Sequence, residues 1–195
     1  MKSNLIKRTA IAVGFVGSLL WGATCVLVNQ NANAQVERMF IINQLSNRCL
    51  DVAGDPGIAN GTALTLADCE LSGFTRSGRT TDQKWEFLPG GFIRNVLSNK
   101  CIDVAGAPGT ANGLPLQLFN FELSGVSVNG NTTDQRWEYI GAGFIRNVLS
   151  NRCIDVAGAP GTANGLPLGI FNCELSGVSV NGKITDQRWR LIPRF

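Results

Sequence analysis

The residues of this sequence that could do chemistry are carboxylates that recur at a fixed interval. Asp103 and Asp134 form such a pair, and related pairs lie 52 residues upstream and downstream. Two carboxylates flanking one bond are what a glycosidase needs. An active site is seldom copied into every unit of a repeat, however, whereas a binding site often is. The sequence also has no histidine, no Gly-x-Ser-x-Gly motif and no phosphate loop. We therefore predict a binding protein with no catalytic residue, no metal ligand and no cofactor.

The carboxylates belong to a unit that occurs three times. Asp134-Gln135-Arg136-Trp137 has one twin at residues 82–85 and another at 186–189, so the three tryptophans are 52 residues apart. The same interval relates three Cys-(Leu/Ile)-Asp-Val-Ala-Gly segments, which begin at Cys49, Cys101 and Cys153. A single period that a cysteine, an aspartate and a tryptophan all follow predicts a repeat architecture.

Each repeat has the pattern of four short β-strands. In the second repeat, at about 92–143, residues 92–97 and 101–105 predict a hairpin, and Trp137–Ile140 is the last strand. Between them, a loop that ends in Asn-Gly precedes a third strand at 114–121. The other repeats, at about 40–91 and 144–195, follow the same pattern. Three such units without helical segments predict an all-β fold that closes on itself and buries the tryptophans.

The first 34 residues are predicted to be a signal peptide. Lys2, Lys7 and Arg8 precede an apolar run at 10–28, and a small-residue cleavage site follows at residues 32–34. The run approaches the ~20 residues that span a bilayer, so an uncleaved anchor is the alternative. Its glycines and the cleavage site favour removal. We expect a secreted or periplasmic domain of residues 35–195 with no stable membrane span.

Removal of the leader makes the chain electrically neutral. The leader carries three of the 17 basic residues and none of the 14 acidic ones, so the mature chain has equal numbers of both signs. A neutral surface without basic clusters argues against nucleic acid and anionic membranes as partners.

Two cysteine pairs are predicted to form disulfides. Cys49 and Cys69 are 20 residues apart, and so are Cys153 and Cys173. Export to an oxidising compartment favours both bridges, each of which would contribute roughly 3 kcal/mol. In the middle repeat Phe121 stands where the partner of Cys101 would be. We expect Cys101 to be a buried free thiol rather than a reactive one.

These motifs together carry a resemblance to a known family. The Cys-x-Asp-Val opening, the Asn-Gly turn, the Leu-x-(Leu/Ile)-Phe strand and the closing Gln-x-Trp resemble the ricin B-type β-trefoil lectin domain. The resemblance covers the mature chain and implies a β-trefoil of three repeats of about 52 residues that binds cell-surface or extracellular glycans. We expect the tryptophans of the closing motifs in the core and their glutamines bonded to backbone; these residues are Gln83, Trp85, Gln135, Trp137, Gln187 and Trp189.

The resemblance also implies which residues contact the sugar. The family uses an aspartate after the first cysteine, a polar residue and a ring on the third strand, and the residue before Gln-x-Trp. Carried over by position, these are Asp103, Gln117, Phe119 and Asp134 in repeat 2, Asp155, Phe171 and Asp186 in repeat 3, and Asp51 in repeat 1. In repeat 3, Gly169 stands where repeat 2 has the amide of Gln117. In repeat 1, Ala67 stands where repeat 2 has the ring of Phe119. We expect repeat 2 to bind best, then repeat 3, and a turn-capping role for Asp51.

Two other functions and one structural question stay open at this point. A protein-interaction trefoil, such as a secreted protease inhibitor, would need a distinctive loop outside the repeat pattern, and repeats 2 and 3 are nearly identical, loops included. A trefoil whose sugar sites have decayed would bind neither glycans nor proteases. The Leu-Ser-Gly-Val-Ser-Val-Asn-Gly segments at 123–130 and 175–182 either fold over the site or are surface loops.

Overall fold

A computed structural model describes residues 37–193 of the chain. The predicted signal peptide, Cys25 and the predicted domain start at residue 35 lie outside the described residues, so they stay predictions. No helix between residues 37 and 193 is long and apolar enough to cross a membrane.

The described residues form twelve short antiparallel strands, four in each repeat, which confirms the predicted all-β class. A 3-10 turn, Gly141–Gly143, links repeats 2 and 3. The strands are β1 Arg38–Asn43, β2 Cys49–Val52, β3 Leu64–Ala67, β4 Trp85–Leu88, β5 Phe92–Asn95, β6 Cys101–Val104, β7 Leu116–Phe119, β8 Trp137–Ile140, β9 Phe144–Asn147, β10 Arg152–Val156, β11 Leu168–Asn172 and β12 Trp189–Pro193.

The first and fourth strands of the three repeats form a closed ring. β1 pairs with β12 over five residues and with β4 over two, while β4 pairs with β5 and β8 with β9. Single contacts complete the circle, because Trp137 N donates to Gly91 O at 2.7 Å and Phe144 bridges to Arg188. The ends of the domain meet at β1 and β12, so ring closure leaves few exposed strand edges.

The second and third strands of each repeat form hairpins that meet beside this ring. The amides of Gly61, Gly113 and Gly165, each the glycine of an Asn-Gly turn, donate to carbonyls of the neighbouring hairpin at 2.7–2.8 Å. All three glycines have φ near +80°, a conformation that favours glycine. The Asn-Gly signal therefore marks the contacts that hold the three hairpins together.

The third strand is shorter than the sequence predicts for residues 114–121. Its first predicted residue, Leu114, accepts a hydrogen bond from Ile170 N of the next hairpin at 3.0 Å. Near its predicted end, Asn120 O accepts the side-chain amide of Gln135 at 2.8 Å. Both ends thus bond to segments distant in sequence, which local patterning does not reveal.

The three tryptophans lie in one core, as predicted. Trp85 and Trp189 are fully buried and Trp137 is 2% exposed, among leucine, isoleucine and valine side chains from all three repeats. Each indole N–H donates to a carbonyl of the second strand of its own repeat, at 3.1–3.2 Å. A buried indole donor is costly without an acceptor, so this bond fixes the fourth strand against the hairpin.

Both predicted disulfides are present, Cys49–Cys69 and Cys153–Cys173. Cys101 is free and fully buried in the described structure. Phe121, which replaces its partner, packs edge-on against Phe92 with ring centroids 5.4 Å apart, and the Arg136 guanidinium lies 4.0 Å from the Phe92 centroid. Aromatic packing thus replaces a bridge, and burial raises the pKa of the Cys101 thiol, which disfavours the reactive thiolate.

Phe121→Cys should create a third disulfide with Cys101. The equivalent bridges join cysteines with Cα atoms 5.0–5.1 Å apart across the same register. We expect a bond between residues 101 and 121 in non-reducing peptide maps. Its gain of roughly 3 kcal/mol is partly offset by the lost Phe92 contact. Phe121→Ala, which loses the ring without gaining a bridge, is the control. A bond from Cys101 to Cys49 or Cys173 instead would contradict the repeat register.

Candidate functional site

Repeats 2 and 3 each carry a small surface pocket beside the second and third strands. The pocket of repeat 2 has a volume of about 40 Å³ and that of repeat 3 about 50 Å³. All four residues predicted for repeat 2 line one pocket, namely Asp103, Gln117, Phe119 and Asp134. The three predicted for repeat 3 line the other, namely Asp155, Phe171 and Asp186. The structure therefore brings each predicted set together around a cavity.

Two amides hold the carboxylate of Asp103. The side chain is 5% exposed, and its Oδ1 accepts from Gln117 Nε2 at 2.8 Å while Oδ2 accepts from Gln135 Nε2 at 3.1 Å. In repeat 3, Asp155 accepts from Gln187 at 2.9 Å, and Gly169 faces it across the hairpin without an amide to offer. A buried carboxylate whose oxygens are both hydrogen-bonded has a fixed orientation.

Asp51 has the same arrangement in repeat 1, with a hydroxyl in place of one amide. It accepts from Gln83 Nε2 at 2.9 Å and from Thr65 Oγ1 at 3.1 Å. The bonds join the hairpin to the closing motif and do not cap a local turn. This contact gives Asp51 a structural role, although a different one from the turn-capping role that we predicted.

The glutamine of each Gln-x-Trp motif uses both ends of its amide. Gln135 Oε1 accepts from Glu122 N at 2.9 Å, and its Nε2 donates to Asn120 O at 2.8 Å as well as to Asp103. Gln83 and Gln187 repeat these contacts. The predicted bonds to backbone are therefore present. The bond to the aspartate was not predicted, and its signal was the constant 32-residue separation between the two side chains.

The aspartate before each Gln-x-Trp holds the loop that follows the second strand. Asp134 is 3% exposed, and its Oδ2 accepts from Gly109 N at 2.6 Å. Asp82 accepts from Gly57 N at 2.7 Å, and Asp186 accepts from Gly161 N. A Cβ at Gly109 would lie 2.5 Å from Val104 Cγ1, so only glycine permits this approach. Asp134 and Asp186 line the pockets of repeats 2 and 3 and also position one wall of each.

The segment at 123–130 lines one side of the pocket, which answers the structural question left open by the sequence. Ser127 and Val128 line the cavity. Ser127 N donates to Asn131 O at 2.7 Å, and Asn131 Nδ2 donates to Ala107 O on the opposite wall at 2.9 Å. The segment at 175–182 places Ser179 and Val180 in the same way. A hairpin-like loop therefore forms one side of each site.

A glutamate that the sequence analysis overlooked lines each site. Glu122 lies in the pocket of repeat 2 and Glu174 in that of repeat 3, and Glu70 has the same place in repeat 1. The 52-residue recurrence of this glutamate was the available signal. Each pocket of repeats 2 and 3 is thus lined by three carboxyl groups. None of the lining side chains, all drawn from residues 37–193, is Lys or Arg.

Burial and crowding of the carboxyl groups raise their pKa values. Burial raises the pKa of Asp103 to about 7, and the nearby charges of Asp134 and Glu122 act in the same direction. Burial, together with Asp186, raises the pKa of Asp155 to about 7. Burial also raises the pKa values of Asp134 and Asp186. Near neutral pH, each pair of aspartates therefore tends to retain a proton.

Repeat 1 has a wider and differently charged cleft. It has a volume of about 650 Å³ and is lined by Asp51, Glu70 and Gln83, with Ala67 where repeats 2 and 3 have a ring. The exposed loop residue Arg76 also lines this cleft, at the place that Val128 has in repeat 2. The three clefts are therefore not equivalent.

Comparisons with known proteins agree with this architecture. The sequence profile of a family described as "Ricin-type beta-trefoil lectin domain" matches residues 37–127. No curated protein sequence matches the chain. The C-half of an earthworm R-type lectin, solved in complex with GalNAc, is 15% identical over 81% of this chain and 99% of its own, with a TM-score of 0.57.

Two further structures are similar. The designed three-fold symmetric protein ThreeFoil is 20% identical over 80% of this chain and 97% of its own, with a TM-score of 0.56. The hemolytic lectin CEL-III is 25% identical over 80% of this chain and 30% of its own, with a TM-score of 0.55. The match over residues 37–127 and these structures confirm the predicted resemblance to the ricin-type β-trefoil lectin domain.

Asp82→Asn should make the stability of the domain less dependent on pH. Burial and the neighbouring Asp51 raise the pKa of Asp82 to about 7, above the ~3.9 of an unfolded aspartate. A raised pKa gives stability that is fully present below pH ~4 and is lost as the pH rises through about 7. Asparagine does not titrate, yet its carbonyl oxygen still accepts from Gly57 N.

Urea denaturation at several pH values between 4 and 8 measures this effect. We expect the wild-type free energy of unfolding to fall over this interval and the variant's to fall less. Asp68→Asn removes an exposed carboxylate as a control and should keep the wild-type slope. Equal slopes for the wild type and Asp82→Asn would contradict the prediction.

Proposed function

We propose that the protein is a secreted or periplasmic lectin that binds glycans in the pockets of repeats 2 and 3. The observation that carries the proposal is the pocket of repeat 2, where a fixed carboxylate, a side-chain amide and an aromatic ring face one cavity. The two disulfides support an oxidising, extracytoplasmic location.

The arrangement suits a sugar because it offers both halves of sugar recognition. A carboxylate has about four acceptor sites, of which the protein uses two at Asp103, so hydroxyl groups can fill the rest. Hydrogen bonds to a charged group contribute about 1.5–3 kcal/mol each. The face of Phe119 can cover the apolar C–H side of the ring, at about 25 cal/mol per Å² of buried surface.

The three repeats should differ in affinity. Repeat 2 combines Asp103, Gln117 and Phe119 in one pocket. Repeat 3 keeps its aspartate and ring but has Gly169 opposite the aspartate, which forfeits about 1 kcal/mol of hydrogen bonding. Repeat 1 has Ala67 in place of the ring, so it lacks the apolar surface on its third strand. The expected order is repeat 2, then repeat 3, then repeat 1.

Asp103→Ala should remove most glycan binding, Asp155→Ala a smaller part and Asp51→Ala little. The physical reason is the aromatic ring on the third strand, which the sites of Asp103 and Asp155 have and the site of Asp51 lacks. Phe119→Ala should match Asp103→Ala, while Trp137→Ala should cost about 3–5 kcal/mol of stability. A glycan array identifies the sugar, titration of each variant measures its binding, and a melting curve shows that it is folded.

Two outcomes would contradict this proposal. If folded Asp103→Ala binds like the wild type while Asp51→Ala does not, the assignment of the sites is wrong. If the array shows no binding and a protease panel shows inhibition, the protein is an interaction module and not a lectin.

Binding should be weak at each site and strong on a dense surface. A shallow site with one ring and one carboxylate supports affinity in the millimolar range, about −4 kcal/mol. Display of several sugars on one surface raises the apparent affinity by about 10²–10⁴. We expect this difference between the free monosaccharide and beads coated with it. Asp103→Ala/Asp155→Ala, which lacks both main sites, should lose the advantage of the coated beads. Equal wild-type affinity for both forms of the sugar would contradict the use of several sites.

A further inference from the structure

We propose that the pockets of repeats 2 and 3 select sugars that carry a free, protonated amino group. This inference rests on the proposed function, because it names the class of sugar for the same two sites. Its first support is the set of groups at each pocket. Three carboxyl groups and a phenylalanine line each cavity, and no basic side chain among the lining residues balances their charge.

The size of the pockets decides which part of a sugar enters them. Their volumes are about 40 and 50 Å³, against about 650 Å³ for the cleft of repeat 1. In so small a pocket we place one substituent of the sugar, while its ring lies against Phe119 or Phe171. That substituent meets the carboxyl groups directly.

An ammonium group fits this environment better than a hydroxyl group does. Buried carboxylates need a counter-charge, and without one they retain protons instead. A hydroxyl donates one hydrogen bond, whereas an ammonium group donates three and supplies a full positive charge. The adjacent ring face also attracts a cation. An acetylated amine has lost the charge and adds bulk, so the same pocket should disfavour it.

Glu174 provides an independent observation in repeat 3. Its Oε1 accepts from Val180 N at 3.2 Å, but its Oε2 is buried and has no hydrogen-bond partner within residues 37–193. A buried oxygen without a donor is unfavourable. An ammonium group in the pocket would supply the missing donor once the Glu174 side chain turns this oxygen towards it.

Repeat 1 provides a natural contrast. Glu70 Oε2 is also buried and lacks a partner in the described structure, but Arg76 brings a positive charge to that cleft. In repeats 2 and 3 the corresponding residues are Val128 and Val180, which are 78% and 76% exposed. Arginine at either position should therefore supply the counter-charge in place of a ligand, and its exposure keeps the fold intact.

The experiment compares one set of sugar-coated beads before and after chemical N-acetylation. Glucosamine and galactosamine beads are both used, because the geometry does not distinguish the epimers. An Asp155→Ala background silences repeat 3, so that repeat 2 alone reports. We expect the amine form to bind at least tenfold more tightly than the acetylated form, and Glu122→Gln to reduce this ratio by roughly tenfold, the size of one charge-assisted hydrogen bond.

Two arginine variants test whether the pocket is responsible. Val128→Arg in the same background should abolish the preference for the amine. Val148→Arg adds the same charge at a residue that is 50% exposed and outside both pockets, so it should keep the preference. Equal losses in the two variants would mean that net charge alone matters, and would overturn the inference.

The remaining outcomes separate the inference from the proposed function. Equal or tighter binding of the acetylated beads would overturn the amine preference and leave the lectin proposal standing. Absence of binding to both kinds of bead, together with a silent glycan array, would remove both. Loss of binding in Asp103→Ala with a retained melting temperature would support the pocket as the site.

Discussion

The side-chain amide of the glutamine in each Gln-x-Trp motif is the contact on which fold and site both depend. Its oxygen accepts a backbone N–H after the third strand, and its nitrogen reaches both a backbone carbonyl and the aspartate of the second strand. Two residues later, the tryptophan indole bonds to the second strand inside the core. One short motif therefore joins the closing strand, the hairpin and the pocket, and it does so three times.

Much of the fold could be predicted because its signals are periodic. The 52-residue spacing of cysteine, aspartate and tryptophan marks units that fold alike, so strand number, core tryptophans and disulfides followed from counting. The ends of the third strand were harder to predict, since Leu114 bonds to Ile170 and Asn120 to Gln135. Such contacts join residues far apart in the sequence, and local patterns carry no trace of them.

The candidate site was predictable in its residues but not in its walls. The family's sugar-site positions, carried over to this sequence, correctly grouped Asp103, Gln117 and Phe119, because these residues lie on one paired hairpin. They did not reveal that Asp134 holds the adjacent loop or that Val128 lines the cavity. Glu122 was missed because one glutamate after a strand looks like an ordinary surface residue. Only the folded loop turns it towards two other carboxyl groups.

Differences among the repeats show how one scaffold accommodates different sites. Phe121 stands where the other repeats have a half-cystine, and its ring packs edge-on against Phe92. In the cleft of repeat 1, Ala67 takes the place of a ring and Arg76 adds a positive charge. The glutamine contacts beneath this cleft are the same as in the other repeats. The buried bonds therefore maintain the architecture, and the exposed positions above them vary in charge and shape.

We propose that these glutamine contacts hold two ligand-binding pockets in place, in repeats 2 and 3. Chemical-shift mapping of the isotope-labelled mature domain, during titration with a sugar that the array identifies, tests it most directly. We predict that the largest shifts fall on the amides of Asp103, Phe119 and Val128 and on their counterparts in repeat 3. Shifts confined to repeat 1, or to the barrel strands away from both pockets, would contradict it.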